Sequence, residues 1–364
     1  MRMVHRYFNR IILLFFICFL IGSFYCPLNA GAVDTENNEG AQIDEGISGD
    51  IFGRQGNVHG FLSVTQQYYS NLYRTAENEE EDWATYISPG VWIAFPSSVQ
   101  RIADIVTSNA APGGLSVSPF YAKSDQKYQS YLLYRPTFEF YYDNSDENMA
   151  THQADAYFRY NSQNKLSFRA LDQYRKSHEA LYSKTFTIDD RFQSNLFSSL
   201  ATFDPTEKFR LRLDYSNFYL NYDDSDNSRA DRMDNSISAY GFFKWRPKTS
   251  FLLNYEFADI SYDDNELDSQ ENRIFAGVRW DVTYKTTGQL KFGWGKKSYD
   301  RSELADLDTW MAEIQVNHSF TPRTSVALNA YRRYDEAQGE LVDDKASQET
   351  VSKSILTHFI GRAF

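Results

Sequence analysis

Lys208-Phe209-Arg210-Leu211-Arg212-Leu213-Asp214-Tyr215-Ser216-Asn217-Phe218-Tyr219 is the stretch that decides the fold. Phe209, Leu211, Leu213, Tyr215 and Tyr219 share one parity, while Lys208, Arg210, Arg212, Asp214 and Ser216 share the other. Successive side chains of a strand point to opposite faces, so this segment has one apolar and one charged face. The pattern returns in Leu290, Phe292 and Trp294 against Gln289, Lys291 and Gly293. It returns again in Trp310, Ala312, Ile314 and Val316 against Met311, Glu313, Gln315 and Asn317. Long strands of this kind suit a soluble sheet, or a barrel whose apolar face meets lipid and whose polar face meets water.

The connections between the strands separate these two settings. One kind is short: Asn161 to Asn164, Asp204 to Glu207, Arg246 to Lys248, Lys285 to Gly288, and Thr321 to Arg323. Proline favours several of them because its φ is already fixed for a tight turn. The other kind is longer and acidic: Asp143 to Glu147, Asp223 to Asp226, Asp263 to Glu266, and Asp335 to Asp344. The two kinds alternate, and the short turns recur at intervals of about forty residues. In an up-and-down sheet all short turns then fall at one end and all long loops at the other, the asymmetry of outer-membrane barrels. The pattern predicts an all-β transmembrane antiparallel barrel of about 14 strands, within a range of 12–18, with short periplasmic turns and long acidic extracellular loops.

The strands are expected at 57–73, 83–95, 128–142, 151–161, 165–176, 186–203, 207–222, 232–246, 248–262, 270–284, 288–299, 308–320, 324–335 and 347–364. Aromatics make up 16% of the chain, and Tyr favours membrane boundaries because its ring is apolar and its tip polar. Tyr141, Tyr142, Tyr219, Tyr222, Tyr262, Tyr299 and Tyr334 are therefore expected to form the outer aromatic girdle. Residues 97–127 break the pattern. Val99 to Thr107 suits a short helix and Leu115 to Ala122 a strand, with a Pro/Gly break at Ala110 to Gly114. The residues leave open a periplasmic excursion, an inward-folded loop or an extra hairpin.

The N-terminus reads as a secretory signal over residues 1–32. Arg2, Arg6 and Arg10 precede the apolar run Ile11 to Phe24, too short for a spanning helix, and Ala30-Gly31-Ala32 fits the cleavage rule. Residues 33–56 are acidic and aperiodic, a flexible periplasmic lead-in to a barrel domain at 57–364. Both cysteines, Cys18 and Cys26, lie in the signal, so the mature chain has neither a disulfide nor a thiolate metal site. Loss of three signal arginines from 37 basic residues against 49 acidic ones moves the net charge from −12 to −15, which argues against nucleic acid as a partner. Phe364, with Ile360 on the same face but Arg362 where an apolar residue is usual, is a partial match to the terminal signal of the outer-membrane insertion machinery, an expected partner. Membrane lipid and lipopolysaccharide are the other expected partners.

Four motifs carry a family resemblance: Tyr69-Ser70-Asn71-Leu72-Tyr73, Ser88-Pro89-Gly90-Val91, Lys244-Trp245-Arg246-Pro247-Lys248-Thr249-Ser250, and Phe320-Thr321-Pro322-Arg323-Thr324-Ser325. With them the chain resembles the β-barrel porins found with exopolysaccharide and capsule export genes. The resemblance implies a bacterial outer-membrane location, passage of a polymer or solute, and polysaccharide export components as partners. It brings no catalytic residue.

No HExxH, GxSxG, phosphate-binding loop or dinucleotide fingerprint occurs, so no enzyme, metal or cofactor is expected. His318, with Ser319 beside it, sits on the apolar parity next to a short turn. Function is sought on the inward parity instead. Its candidate lumen-lining residues are Arg159, Arg169, Arg210, Arg212, Asp214 and Lys244, then Glu256, Arg279, Asp281, Lys291 and Glu313. Both signs are present, which suits hydrophilic solutes of low charge, sugars among them. Two other classes stay open: a structural barrel whose acidic loops bind a partner, lipopolysaccharide or cations, and an outer-membrane hydrolase.

Overall fold

The computed structural model describes residues 57–73, 78–96, 109, 111–115, 127–162, 165–178, 191–223, 230–264, 267–283, 286–321, 324–334 and 351–361. The signal, the acidic lead-in, Phe364, the Val99–Thr107 helix and all but Leu115 of the Leu115–Ala122 strand lie outside them.

Fourteen strands follow one another. They are β1 (Val58–Tyr69), β2 (Asp82–Phe95), β3 (Tyr128–Tyr141), β4 (Met149–Asn161), β5 (Leu166–His178), β6 (Arg191–Phe203) and β7 (Phe209–Tyr222). Then come β8 (Arg232–Arg246), β9 (Thr249–Tyr262), β10 (Ser269–Thr283), β11 (Thr286–Tyr299), β12 (Leu307–Thr321), β13 (Thr324–Tyr334) and β14 (Val351–Gly361). They form one antiparallel sheet in sequence order, β1 through β14. Among the described residues no ladder joins β1 to β14.

Pairing persists to both rims. At the short-turn end Asp204 N–H donates to the Lys165 carbonyl at 3.0 Å and Lys244 N–H to the Lys208 carbonyl at 2.8 Å. At the loop end Tyr142 bonds to Trp83, Asp223 to Arg191 and Asp263 to Asp231 in the same way. Register shifts fall just before three short turns, at Lys244/Arg246, Trp280/Thr283 and Ser319/Thr321. Such a bulge bends a strand and tightens its twist where the chain must reverse. β1 stops short of the expected 73 because the Leu72 N–H turns away to the Glu80 carbonyl at 2.7 Å. Leu72 then buries itself against Ala84 and Tyr141.

The sheet curls. One cavity is lined by Ser198 on β6, Glu256 on β9, Glu313 on β12 and Arg333 on β13. In a flat sheet β6 and β13 would lie about 34 Å apart, seven steps at the usual strand spacing. Their meeting at one cavity requires the sheet to curve around its inner face.

Parity sorts the two faces cleanly. Within the strands, the strongly exposed large apolar side chains all have outward parity: Leu62 and Val64 on β1, Leu211 and Leu213 on β7, Leu253 on β9, Phe292 on β11, Trp310 on β12. An apolar surface this extensive is foreign to a water-facing monomer and suits a hydrocarbon solvent. The expected girdle needs correction. Tyr141, Tyr222 and Tyr262 are buried at 4%, 8% and 3% exposure on the inward parity, so they cannot anchor the outer surface. Tyr142 is exposed and Tyr219 has outward parity, as a girdle demands. Tyr299 has inward parity, beneath the Lys297 ammonium, and the side chain of Tyr334 lies outside those described.

Replacing an outward leucine tests the solvent of that face. Leu213→Arg should lower the folding free energy in phospholipid bilayers by about 2–4 kcal/mol at midplane depth, read from urea titration in vesicles. An unchanged midpoint would show that this face does not meet lipid.

Candidate functional site

Alternation brings the sequence-derived candidates to one wall. Arg159, Arg169, Arg210, Arg212, Asp214, Lys244, Glu256, Arg279, Lys291 and Glu313 all take the parity of the buried inner side chains in their strands. Asp281 has the same parity in β10, but its side chain lies outside those described. The wall divides into three levels between the short-turn rim and the loops.

At the short-turn rim lies a cavity of about 400 Å³. Its lining carries Lys165, Lys208, Arg210, Lys244, Lys248 and Arg279 against Asp204 and Glu207, with Phe242 and Pro247 as apolar surface. Arg210 holds Asp204 with two bonds, from Nε at 2.6 Å and Nη2 at 2.7 Å. That parallel geometry is the strong arrangement for a guanidinium and a carboxylate. Thr206 Oγ1 accepts from the N–H groups of Lys208 and Phe209 at 3.3 and 3.2 Å, which shapes the turn presenting Lys208.

The middle level is a lattice of paired charges. Lys291 Nζ lies 2.6 Å from Glu313, its direct cross-strand partner, and 3.5 Å from Glu256. Arg273 Nε lies 3.4 Å from Glu256, again directly across the ladder, and 3.7 Å from Glu271. Lys297 reaches Glu271 at 3.5 Å. Tyr240 donates to Glu256 at 3.3 Å and stacks under the Arg212 guanidinium, whose Nε bonds Asp214 at 2.7 Å. Lys291 is fully buried, so its charge depends on these carboxylates. Removing one member of such a set leaves an uncompensated charge and costs about 3–5 kcal/mol.

Toward the loops the wall receives a piece of chain from the irregular 97–127 segment. Residues 111–115, with the 3-10 turn Pro112–Gly114, are packed against β7, β8 and β9. Arg232 and Asp234 explain why. They form a fully buried pair 3.2 Å apart in β8. Asp234 accepts the Gly113 N–H at 3.0 Å, and Arg232 donates to the Asn109 carbonyl. Arg333 on β13 donates to the Leu115 carbonyl at 3.0 Å. The inserted backbone thus supplies hydrogen bonds that a desolvated ion pair would otherwise lack. Gly113 and Gly114 have φ near +67° and +69°, and a Cβ on Gly114 would lie 2.4 Å from the Phe218 ring. Leu115 packs on an inward apolar cluster that includes Tyr131, Tyr157, Leu171, Leu196, Phe218 and Leu220. Between the inserted turn and the charge lattice lies a cavity of about 60 Å³. Of the three readings for 97–127, the described part is an inward fold.

Above this level, Tyr69, Tyr86 and Tyr141 join their hydroxyls at 2.8 and 3.4 Å, and Glu139 meets Tyr141 at 3.5 Å and His178 at 3.1 Å. Beyond the strands, burial and the Glu147 carboxylate 3.2 Å away push the Tyr73 phenol up to about 12, so it remains a neutral donor. His318 bonds Thr286 across the β11–β12 ladder at 2.7 Å. Among the described residues no group of three or more His, Asp or Glu side chains is placed to hold a metal.

Sequence reasoning missed Arg232, Asp234, Glu271, Arg273, Lys297 and Tyr240. Their parity within strands already delimited was the signal that could have found them. It left the inward docking of Pro112-Gly113-Gly114 as one of three readings, with the Pro/Gly break as the only local sign.

A side chain at Gly114 should undo the docking. Gly114→Val is expected to increase protease cleavage within 97–127 while strand content by circular dichroism stays unchanged. Cleavage at the native rate would show that the turn does not hold the segment.

The family model described as "Putative beta-barrel porin 2" matches residues 120–346, well over half of the chain. Two of the resembling motifs, Lys244–Ser250 and Phe320–Ser325, fall inside that match; the two near the start precede it. The comparison with curated proteins found no match.

Proposed function

Because the chain belongs to this β-barrel porin family, we propose that it spans the bacterial outer membrane and passes hydrophilic solutes along its inner wall, with no covalent chemistry of its own. The parity split carries the reading: charged and amide side chains line one face of the curled sheet, and exposed leucines, phenylalanines and tryptophans cover the other. The acidic loops then face the medium and the short turns the periplasm.

The middle of the wall favours uncharged cargo. Its charges are spent on one another, and the surface left around the central cavity is rich in hydroxyls: Ser198, Ser216, Ser236 and Ser238. Such groups exchange hydrogen bonds with sugar hydroxyls without a desolvated charge to offset. An exopolysaccharide is the cargo that the family resemblance favours. A cavity of about 60 Å³ holds water rather than a sugar ring, so larger cargo requires residues 111–115 to leave their berth.

A closed structural barrel is the second reading, and the docked turn and the filled charge lattice favour it. Its acidic loops would then be the working surface. Planar-bilayer recording separates the two. A conduit gives discrete conductance steps in the native protein, enlarged severalfold in Gly114→Val. Silence from both proteins at every voltage would establish the closed barrel.

A further inference from the structure

We infer that the short-turn mouth is a binding site for anionic saccharides, those bearing carboxylate or phosphate groups. The inference deepens the solute-passage reading and rests on it for its biological sense, though the site itself is a matter of binding.

The first observation is a local reversal of charge. The whole chain carries −12, yet the 400 Å³ cavity is lined by six cationic side chains and two carboxylates. Arg210 holds Asp204, and Lys208 and Lys244 are exposed at the same rim. This differs in kind from the middle of the wall, where Lys291 and Arg273 are buried among carboxylates.

The second observation is placement. The backbone N–H of Lys244 bonds the Lys208 carbonyl, so two ammonium groups stand on neighbouring strand ends. Like charges set side by side across a ladder destabilise it. An anion seated between the two ammonium groups would relieve that repulsion. The third observation is chemical mixture. Phe242, inward and 7% exposed, and Pro247 give the cavity an apolar surface beside its cations. Apolar lining with a few convergent polar groups is the general form of a small-molecule site. A sugar ring supplies an apolar face and its carboxylate or phosphate the charge.

The opposite end has the opposite sign. Asp143, Asp223, Asp263, Asp264, Asp300 and Glu303 crowd the loop rim. An anion gathered at the turn end therefore meets repulsion, not a second trap, at the far end.

Calorimetric titration of the detergent-solubilised protein with trigalacturonate, beside neutral maltotriose, tests the site. Trigalacturonate should bind, weaken as salt rises, and lose about tenfold in affinity in Lys208→Gln/Lys244→Gln. Glu207→Gln should bind it more tightly, which guards against loss through misfolding. Equal affinity for maltotriose, or an undiminished affinity in the double variant, overturns the inference. So does absence of trigalacturonate binding together with a fall in co-purified anionic phospholipid in the double variant, which would assign the lysines to lipid headgroups. Conductance without trigalacturonate binding would sink the site and leave the conduit. Binding without conductance would keep the site and sink the conduit.

Discussion

A backbone in hydrocarbon has no water to bond, so each N–H and C=O left unpaired costs several kcal/mol. The rest of this molecule follows from that constraint. It forbids isolated strands, favours the unbroken order β1 to β14, and drives the sheet to curl. Curling then divides the side chains by parity alone. The same backbone position that exposes Leu213 turns Arg212 and Asp214 inward. No separate rule is needed to explain why one face is apolar and the other charged.

The inward residues face a second problem. A curled sheet of this size encloses charge away from bulk water, and a buried ion without a partner is costly. The protein answers it differently at different depths. Lys291, Arg273, Glu256 and Glu313 neutralise one another along the wall from β9 to β12, mostly between direct cross-strand neighbours. Arg232 and Asp234 pair within one strand, and the backbone of Asn109 and Gly113 gives each of them a further hydrogen bond. That need, rather than apolar contact alone, accounts for the turn's position inside. At the short-turn rim, where water is at hand, Lys208 and Lys244 stand exposed.

Much of this was legible in the sequence because a strand has the simplest of periodicities. The expected 232–246 coincides with β8, and the expected 207–222 differs from β7 only at its start. Proline-bearing turns marked the strand ends, since the fixed φ of a residue such as Pro247 suits a tight turn. The wall residues were legible for the same reason, as parity follows from the boundaries. Two things were not. Tyr141, Tyr222 and Tyr262 were read as lipid-facing by residue type, against their own parity, because an interior filled by apolar side chains was not foreseen. The docking of residues 111–115 depends on contacts with β8 and β13, more than a hundred and more than two hundred residues away. No local pattern encodes a partner at such a distance.

The two rims differ in the sign of their fixed charge, with lysines and arginines about the turns and aspartates about the loops. In the proposed conduit, ions moving from one rim to the other would cross a built-in gradient of potential, and reversing the applied voltage would not present them with the same landscape. Such a conduit would act as a diode, conducting more readily in one polarity, with a preferred direction set by the amino-acid sequence.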